Sequence, residues 1–298
     1  EVETYPNGVL HGSADGFKAL VSDITDITPA YPIYNAGAFH LTHGLYLPGA
    51  FDSVYATIRA GEELYPEYLK PEYEAIGIEL FFTASSSPYQ VLTTKKVESL
   101  ADLQGMKIGG SGGSINEWIS AIGATPVQVS APEMYTAFQQ GLVDGILVPV
   151  DAMLTYRLEE LTRYFVPLDI GQAGIPYGIN RQTLSELPDD LKQVVYEASR
   201  EAGMHYADNA QEGVDKGMAA LRANDVVFVE FSDEDKARLN EIRDVLWEEF
   251  ATELEAEGYP AEEFLAKMRE LSEKYGALTR DELIALNENE PVDGIWPE

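Results

Sequence analysis

Any chemistry in this chain has to come from a short inventory of side chains. The 298 residues contain four histidines (His11, His40, His43 and His205) and no cysteine. His40 and His43 stand three apart in an irregular stretch, with no carboxylate at ligand spacing, which is too little for a metal site. No nucleophile lies beside a base, and no acid–base pair forms a motif. The run Gly109-Gly110-Ser111-Gly112-Gly113-Ser114 follows an apolar strand and opens a helix. Backbone N–H groups in that setting can form an anion nest. A turn that only needs positive φ explains the same glycines equally well. No Lys-Ser/Thr pair follows them, so this is not a Walker loop, and it is not a dinucleotide fingerprint either. Catalysis is unsupported, and neither a cofactor nor a metal is expected.

The elements that would position a site alternate between strand and helix. Pro126 to Val129 and Ile146 to Val148 read as strands around a short helix, where Ser130 and Glu133 have capping-box spacing and Pro132 sits in the first turn. Ligands of open α/β sheets sit beyond the carboxyl ends of such strands. Upstream, Val2 to Tyr5 reads as a strand turned by Pro6-Asn7-Gly8, 14–22 as a helix, and Asp23 to Thr28 as a strand. Pro29 to Phe51 is a long aromatic loop, and loops of that kind tend to carry function. Residues 53–76 read as a helix broken near Gly61 and Pro66. Strands follow at Ile78 to Thr83, Tyr89 to Thr93, Met106 to Ile108, Tyr164 to Ile170, Ile175 to Ile179 and Val226 to Phe231. Trp118 shares helical spacing with Ile115 and Ile122, which marks it as core. A helix covers 151–161, a long one runs from Leu187 to about 219, and charged helices follow Ser232. The alternation predicts an α/β fold.

Charge narrows the partners. Against 51 Asp and Glu there are 20 Lys and Arg, a formal charge of −31. Such a surface repels nucleic acid and anionic membranes and suits a halophilic or marine medium, where salt screens self-repulsion. No apolar run approaches the ~20 residues that span a bilayer. Glu1-Val2-Glu3-Thr4-Tyr5 reads as the middle of a strand, so a leader, a first strand and a helix are expected before it.

The order of motifs resembles the periplasmic solute-binding proteins of TRAP transporters, the DctP family. The resemblance rests on PNG at 6–8, LHG and DGFKALVSDITDI after it, PGAF at 48–51, TTKKVESLADLQGMKI at 93–108, IGATPVQVSAPEMYTAFQQGLVDG at 122–145 and LSELPDDLKQVVYEAS at 184–199. It implies a two-lobed periplasmic-binding-protein-like fold with hinge-connecting strands and a long helix. Residues 1–88 and 171–231 would form one lobe; 89–170 and 232–298 would form the other with bracing C-terminal helices. Crossing points would fall near Ser87 to Val91, Ile175 to Ile179 and Phe231. It also implies a periplasmic monomer, with a dimer through the C-terminal helices as the alternative. Such a receptor hands a small organic solute to sodium-coupled TRAP permease subunits. A binding protein of an ABC importer, or a sensor domain of the same fold, is the rival reading.

The resemblance also implies a departure. An arginine ordinarily follows the Lys107-Ile108 pair and clamps a substrate carboxylate, a task its planar fork suits; here Gly109 stands there. A second arginine of acid-sugar binders falls at Tyr89. A Gln-Glu-Asn triplet becomes Ile146-Leu147-Val148, and an aromatic before the capping turn becomes Ala131. Ser13 and Tyr31 match positions that touch substrate in some members. Two ligand hypotheses follow. A neutral, aromatic or weakly polar solute would be held by Tyr31, Tyr34, Phe39 and Tyr89, with Gln172 as polar handle and Ala131 and Val148 lining the pocket. An anion would instead be held by backbone N–H groups of Gly109 to Ser114, Gly110 and Ser111 among them, and the N-terminus of the helix that follows. Arg157 and Arg163 read as surface partners of Glu159 and Glu160.

Overall fold

Two long backbone segments lying antiparallel organise the computed structural model, which describes residues 2–6, 8–35 and 37–295. Before them come a helix, α1 (Gly16–Val21), a short edge strand, β1 (Ile27–Pro29), the aromatic loop, and two helices, α2 (Val54–Leu64) and α3 (Lys70–Ala75). Ser53 caps α2 by accepting from the Ala56 N–H. The helix runs unbroken through Gly61, because a Cβ there would sit 2.8 Å from the Thr83 methyl. The break falls instead at Pro66, inside a π-turn over Tyr65–Leu69.

The first long segment is β2 (Ile78–Ser85) continued by β3 (Tyr89–Thr93). Next come β4 (Lys107–Gly110), α4 (Ser114–Ala121), β5 (Thr125–Gln128), α5 (Met134–Gln139), β6 (Gly145–Pro149) and α6 (Val150–Met153). The second long segment is β7 (Tyr164–Ile170) continued by β8 (Gly174–Asn180). After it lie α7 (Arg181–Glu186), the 35-residue α8 (Asp189–Ala223), β9 (Val227–Phe228), α9 (Asp233–Glu257), α10 (Ala261–Gly276) and α11 (Arg280–Asn289).

Two sheets result, one ordered β1-β8-β2 and the other β5-β4-β6-β3-β7-β9. The long segments pass from one sheet to the other side by side, with Ser85 opposite Gly174 and Tyr89 opposite Ile170. Between those pairs, Ser86 N donates to Ala173 O, Ala173 N to Ser86 Oγ and Tyr89 N to Gly171 O, each at 3.1 Å. The crossings therefore lie at 86–88 and 171–173. The expected crossing at Ile175 to Ile179 comes too late, since that stretch pairs fully with β2.

Other differences are local. Residues 2–6 pair with no strand among the described residues, and Asn7 of the predicted turn and Glu1 lie outside them. Of Val226 to Phe231, only Val227 and Phe228 join a sheet, beside Tyr164 and Phe165. Val229 N still donates to Phe165 O at 2.9 Å, and among the described residues the pairing ends there.

The first sheet and α2 share a core with Phe264, Met268, Leu271 and Tyr275 of α10. α9 spans both sides: Leu239 and Ile242 pack with Phe231 and Trp118, while Trp247 and Phe250 pack with the first core. Between α2 and α8, Arg200 Nη1 meets Glu62 Oε2 at 2.5 Å, and Arg200 Nη2 donates to Phe81 O at 3.0 Å. Burial raises the Glu62 carboxyl above its usual range, and the Arg200 and Arg59 charges oppose that. The charge is retained only while its partner stays. Arg200→Met or Glu62→Leu alone should cost about 3–5 kcal/mol in urea unfolding, with the double variant regaining most of it.

His43 gives a pH signature. Burial, then the neighbouring His40, lowers its imidazole from 6.5 to about 4, and its Nε2 meets no hydrogen-bond partner among the described residues. The folded form holds it neutral while the unfolded chain protonates near 6.5. Its contribution is thus present above pH 6.5 and lost as pH falls toward 4, at most about 3 kcal/mol. His43→Phe should lose less stability than the parent between pH 7 and 4, measured by urea unfolding at each pH.

Candidate functional site

The parallel strands β4, β5 and β6 carry their carboxyl ends toward one region, and just beyond them stand Ser111, Ala131 and Asp151. Aromatic rings from the other sheet and from α8 converge on the same region. Phe82 of β2 stacks on Tyr177 of β8, centroids 4.5 Å apart and planes 12° apart. Tyr206 of α8 meets Tyr177 edge-on at 6.2 Å and Phe82 at 6.4 Å. From the aromatic loop, Tyr31 and Tyr34 meet edge to face at 6.0 Å. Tyr156, after α6, completes the wall. Tyr31, Tyr34, Tyr156, Tyr177 and Tyr206 are each half-buried, and the region they border is the candidate cleft.

These phenols also raise one another's pKa values. Burial raises the Tyr31 phenol well above its ordinary value, and Tyr177, Tyr156 and Tyr34 add to that. Burial does the same for Tyr206, reinforced by Tyr177, Tyr31, Asp151 and Tyr156. Burial also raises the Tyr34 phenol, and the nearby Ser111 side chain opposes that. All these phenols stay neutral and act as hydrogen-bond donors or as ring faces.

Asp151 lies just past the carboxyl end of β6. It sits in the first turn of α6, where Ser87 donates to its Oδ1 through N–H at 2.9 Å and through Oγ at 2.5 Å. α8 packs closely at Gly213, where a Cβ would lie 3.0 Å from the Asp151 Cβ. Burial raises the carboxyl's pKa, and the Ser87 bonds oppose the shift.

The predicted site residues divide. Tyr31, Tyr34 and Ser111 lie at the cleft. Tyr89 is buried behind it, edge-on to Trp118 at 5.5 Å. Ala131 is half-buried at the end of β5, and Ser13 is exposed beside α1. Phe39 does not face the cleft: it is fully buried, edge-on to Phe17 at 6.0 Å and Tyr73 at 5.5 Å. Val148 is enclosed in the core with Leu92, Phe165 and Met153. Gln172 is committed at the crossing. Its Oε1 accepts from Thr57 at 2.9 Å and Ser85 at 3.4 Å, and its Nε2 donates to Phe51 O at 3.1 Å. Arg157 pairs at the surface with Glu160, and Arg163 donates to the Thr162 carbonyl.

The glycine run also divides. Gly109 and Gly110 are strand residues without room for a Cβ; at Gly109 it would lie 2.6 Å from Ile146 Cδ1. Gly112 and Gly113 have φ of +108° and +51°, which only glycine adopts without strain. The Ile33 carbonyl packs onto Gly113 and the Gln128 amide onto Gly112. Gly112 is buried, whereas Gly113 is exposed and Ser111 and Ser114 are half-buried.

Asp151, Tyr156, Tyr177, Tyr206 and Phe82 were not singled out from sequence. A signal existed for Asp151 alone, an acid just past the carboxyl end of an apolar strand. An open groove of about 1040 Å³ runs between α4 and α9, lined by Trp118, Leu246 and Phe250 with Gly113 and Ser114 at its edge; Tyr31, Tyr34, Tyr156, Tyr177 and Tyr206 do not line it. Among the described residues, no group of three or more His, Asp or Glu could hold a metal ion. No helix among them is long and apolar enough to cross a membrane.

Comparison with known proteins adds lineage to this geometry. Residues 1–253 match the family model for DctP, bacterial extracellular solute-binding protein, family 7. The C4-dicarboxylate-binding periplasmic protein DctP of Rhodobacter capsulatus is 24% identical over 262 residues, 86% of this chain and 78% of the relative. A TRAP periplasmic solute-binding protein of Desulfovibrio salexigens superposes with a TM-score of 0.82 at 25% identity, covering 94% of this chain and 88% of that one. A Rhodoferax ferrireducens TRAP protein in complex with copurified benzoate does so at 0.82 and 22%, covering 92% and 87%. A Bordetella bronchiseptica protein with bound mandelate gives 0.77 at 25% identity, covering 91% and 87%.

The tight fit of Gly109 under Ile146 is open to direct measurement. Gly109→Ala should lower stability by about 1–3 kcal/mol through overpacking. Adding Ile146→Val, which deletes the Cδ1 methyl, should restore part of it, giving a non-additive cycle in thermal melts.

Proposed function

Because the chain belongs to the bacterial extracellular solute-binding proteins of family 7, we propose that it is the periplasmic receptor of a TRAP transporter. In this reading it traps one small organic solute between two lobes and delivers it to sodium-coupled permease subunits. The observation that carries the reading is the convergence of five half-buried tyrosines on the carboxyl ends of β4 and β6, beside the strand crossing. Aromatic walls with few polar groups suit a small-molecule site. The benzoate and mandelate held by the Rhodoferax and Bordetella proteins support a solute with one ring or its equivalent bulk.

In the same reading, residues up to 88 and from 171 through α8 form one lobe, which α10 and α11 brace from behind. Residues 89–170 with β9 form the other, and the receptor works as a monomer. The crossings at 86–88 and 171–173 act as the hinge, since short element ends absorb such rotations.

Small-angle X-ray scattering and thermal melts against a panel of one-ring acids, amines and alcohols test this. A ligand should shrink the radius of gyration and raise the melting temperature together. Tyr31→Ala should weaken its binding roughly tenfold without moving the unliganded melting temperature. A panel that leaves both scattering and melting unchanged counts against the receptor reading.

A further inference from the structure

We infer that the groove between α9, α10 and the Pro48–Ala50 turn is a second ligand site, apart from the cleft, which takes a small oxyanion such as a carboxylate. The groove encloses about 390 Å³, and its lining includes Gly49, Arg243, Trp247, Arg269 and Ser272 and none of the cleft tyrosines. That volume suits a small molecule or a chain end. Two guanidinium groups reach it from different helices, and each is fixed in place. Arg269 of α10 lies over the Trp247 ring, its Cζ 4.7 Å from the centroid. Stacking of this kind holds the planar group while leaving its N–H edges free. Trp247 is itself pinned, since its indole N–H donates to Pro48 O at 2.9 Å. Arg243 of α9 donates through Nη2 to Leu168 O and Asp169 O, both at 3.0 Å, and through Nη1 to Asn240 Oδ1 at 3.2 Å.

The counter-charge is what these two lack. In a chain with 51 acids, arginines elsewhere meet carboxylates, as Arg59 does Glu63, Arg200 does Glu62 and Arg280 does Asp208. Among the described residues, neither Arg243 nor Arg269 pairs with one; their partners are the carbonyls, the Asn240 amide and the Trp247 ring. The Arg243 Nε is buried and meets no acceptor either, although buried donors are ordinarily paired. Against an anion stand the charge of −31 and two acids of the lining, Asp244 and Glu273, which pair with neither arginine. Salt screens such exposed charges beyond about 8 Å. A guanidinium fork, in contrast, holds an oxyanion by direct and bidentate N–H donation. The half-buried Ser272 adds a hydroxyl to the same lining. Arg243 also ties the groove to the end of β7, where Asp169, at φ +45°, is held in turn by Gln90 through bonds of 2.6 and 3.1 Å. An occupant therefore sits one side chain away from the strand crossing.

Nitrogen–proton correlation NMR on the full chain reads the groove directly, because Trp247 lines it and Trp247→Phe assigns the indole signal. The probes are sodium acetate and sodium sulfate, with sodium chloride at matched ionic strength as the control. A short peptide ending in a free carboxylate, beside its C-terminal amide, separates a protein chain end from a free anion. Acetate or sulfate should move the Trp247 signal along a saturating curve, while chloride leaves it in place. Arg269→Gln should weaken that binding about tenfold or more and leave the unliganded melting temperature where it was. Arg269→Lys should restore only part, since an ammonium keeps the charge and loses both the stack and the fork. A peptide acid that binds more tightly than acetate and than its amide assigns the groove to a partner's chain end. Acetate binding at least as tightly as the peptide assigns it to a free anion, and either result supports the site. Tyr31→Ala, a change at the cleft, should leave the response intact; a response lost in that variant belongs to the cleft and overturns the second site. So does a shift that chloride matches, that never saturates, or that survives Arg269→Gln unchanged.

Discussion

The structure depends on two antiparallel backbone segments, 78–93 and 164–180, staying paired as they leave one sheet and enter the other. At the transition the ladder cannot be ordinary, because Pro88 has no N–H and the chain turns. The groups freed there are buried, and leaving a buried donor unmet costs about 1–3 kcal/mol each. Small polar side chains take over: Ser86 Oγ receives the Ala173 N–H, and Gln172 ties Phe51, Thr57 and Ser85 together. Ser85, Ser86 and Ser87 are buried at that transition.

The crossing also reaches the end of β6. Ser87 spends its N–H and hydroxyl on Asp151, so the acid just past that strand is held by the backbone that joins the sheets. A change of charge at Asp151 and a change of geometry at the crossing are therefore coupled through two hydrogen bonds. The cleft tyrosines come from the aromatic loop, β8, α8 and the segment after α6, elements far apart in sequence.

A second compensation is steric. Where the family resemblance implies an arginine, Gly109 leaves a gap, and Ile146 from the adjacent strand fills it with apolar volume. The exchange keeps the interior packed to native density, which any void would disturb.

Much of this was legible in the residues themselves. Period-2 and period-3.6 patterns located nearly every strand and helix, the capping box at Ser130 and Glu133 formed, and Trp118 took its place in the core. Those features are local: a cap, a period or a proline acts within a few residues, whatever the rest of the chain does. The site was only partly legible. Tyr31, Tyr34 and Ser111 face the cleft, but Phe39 and Val148 turned inward and Gln172 was absorbed by the crossing. Tyr177, Tyr206 and Asp151 looked like ordinary members of a strand and two helices. Which face of an aromatic side chain meets a partner, and which arginine lacks a carboxylate, depends on segments a hundred residues away. Local pattern determined the elements; only their assembly decided which side chains were left over to meet a ligand.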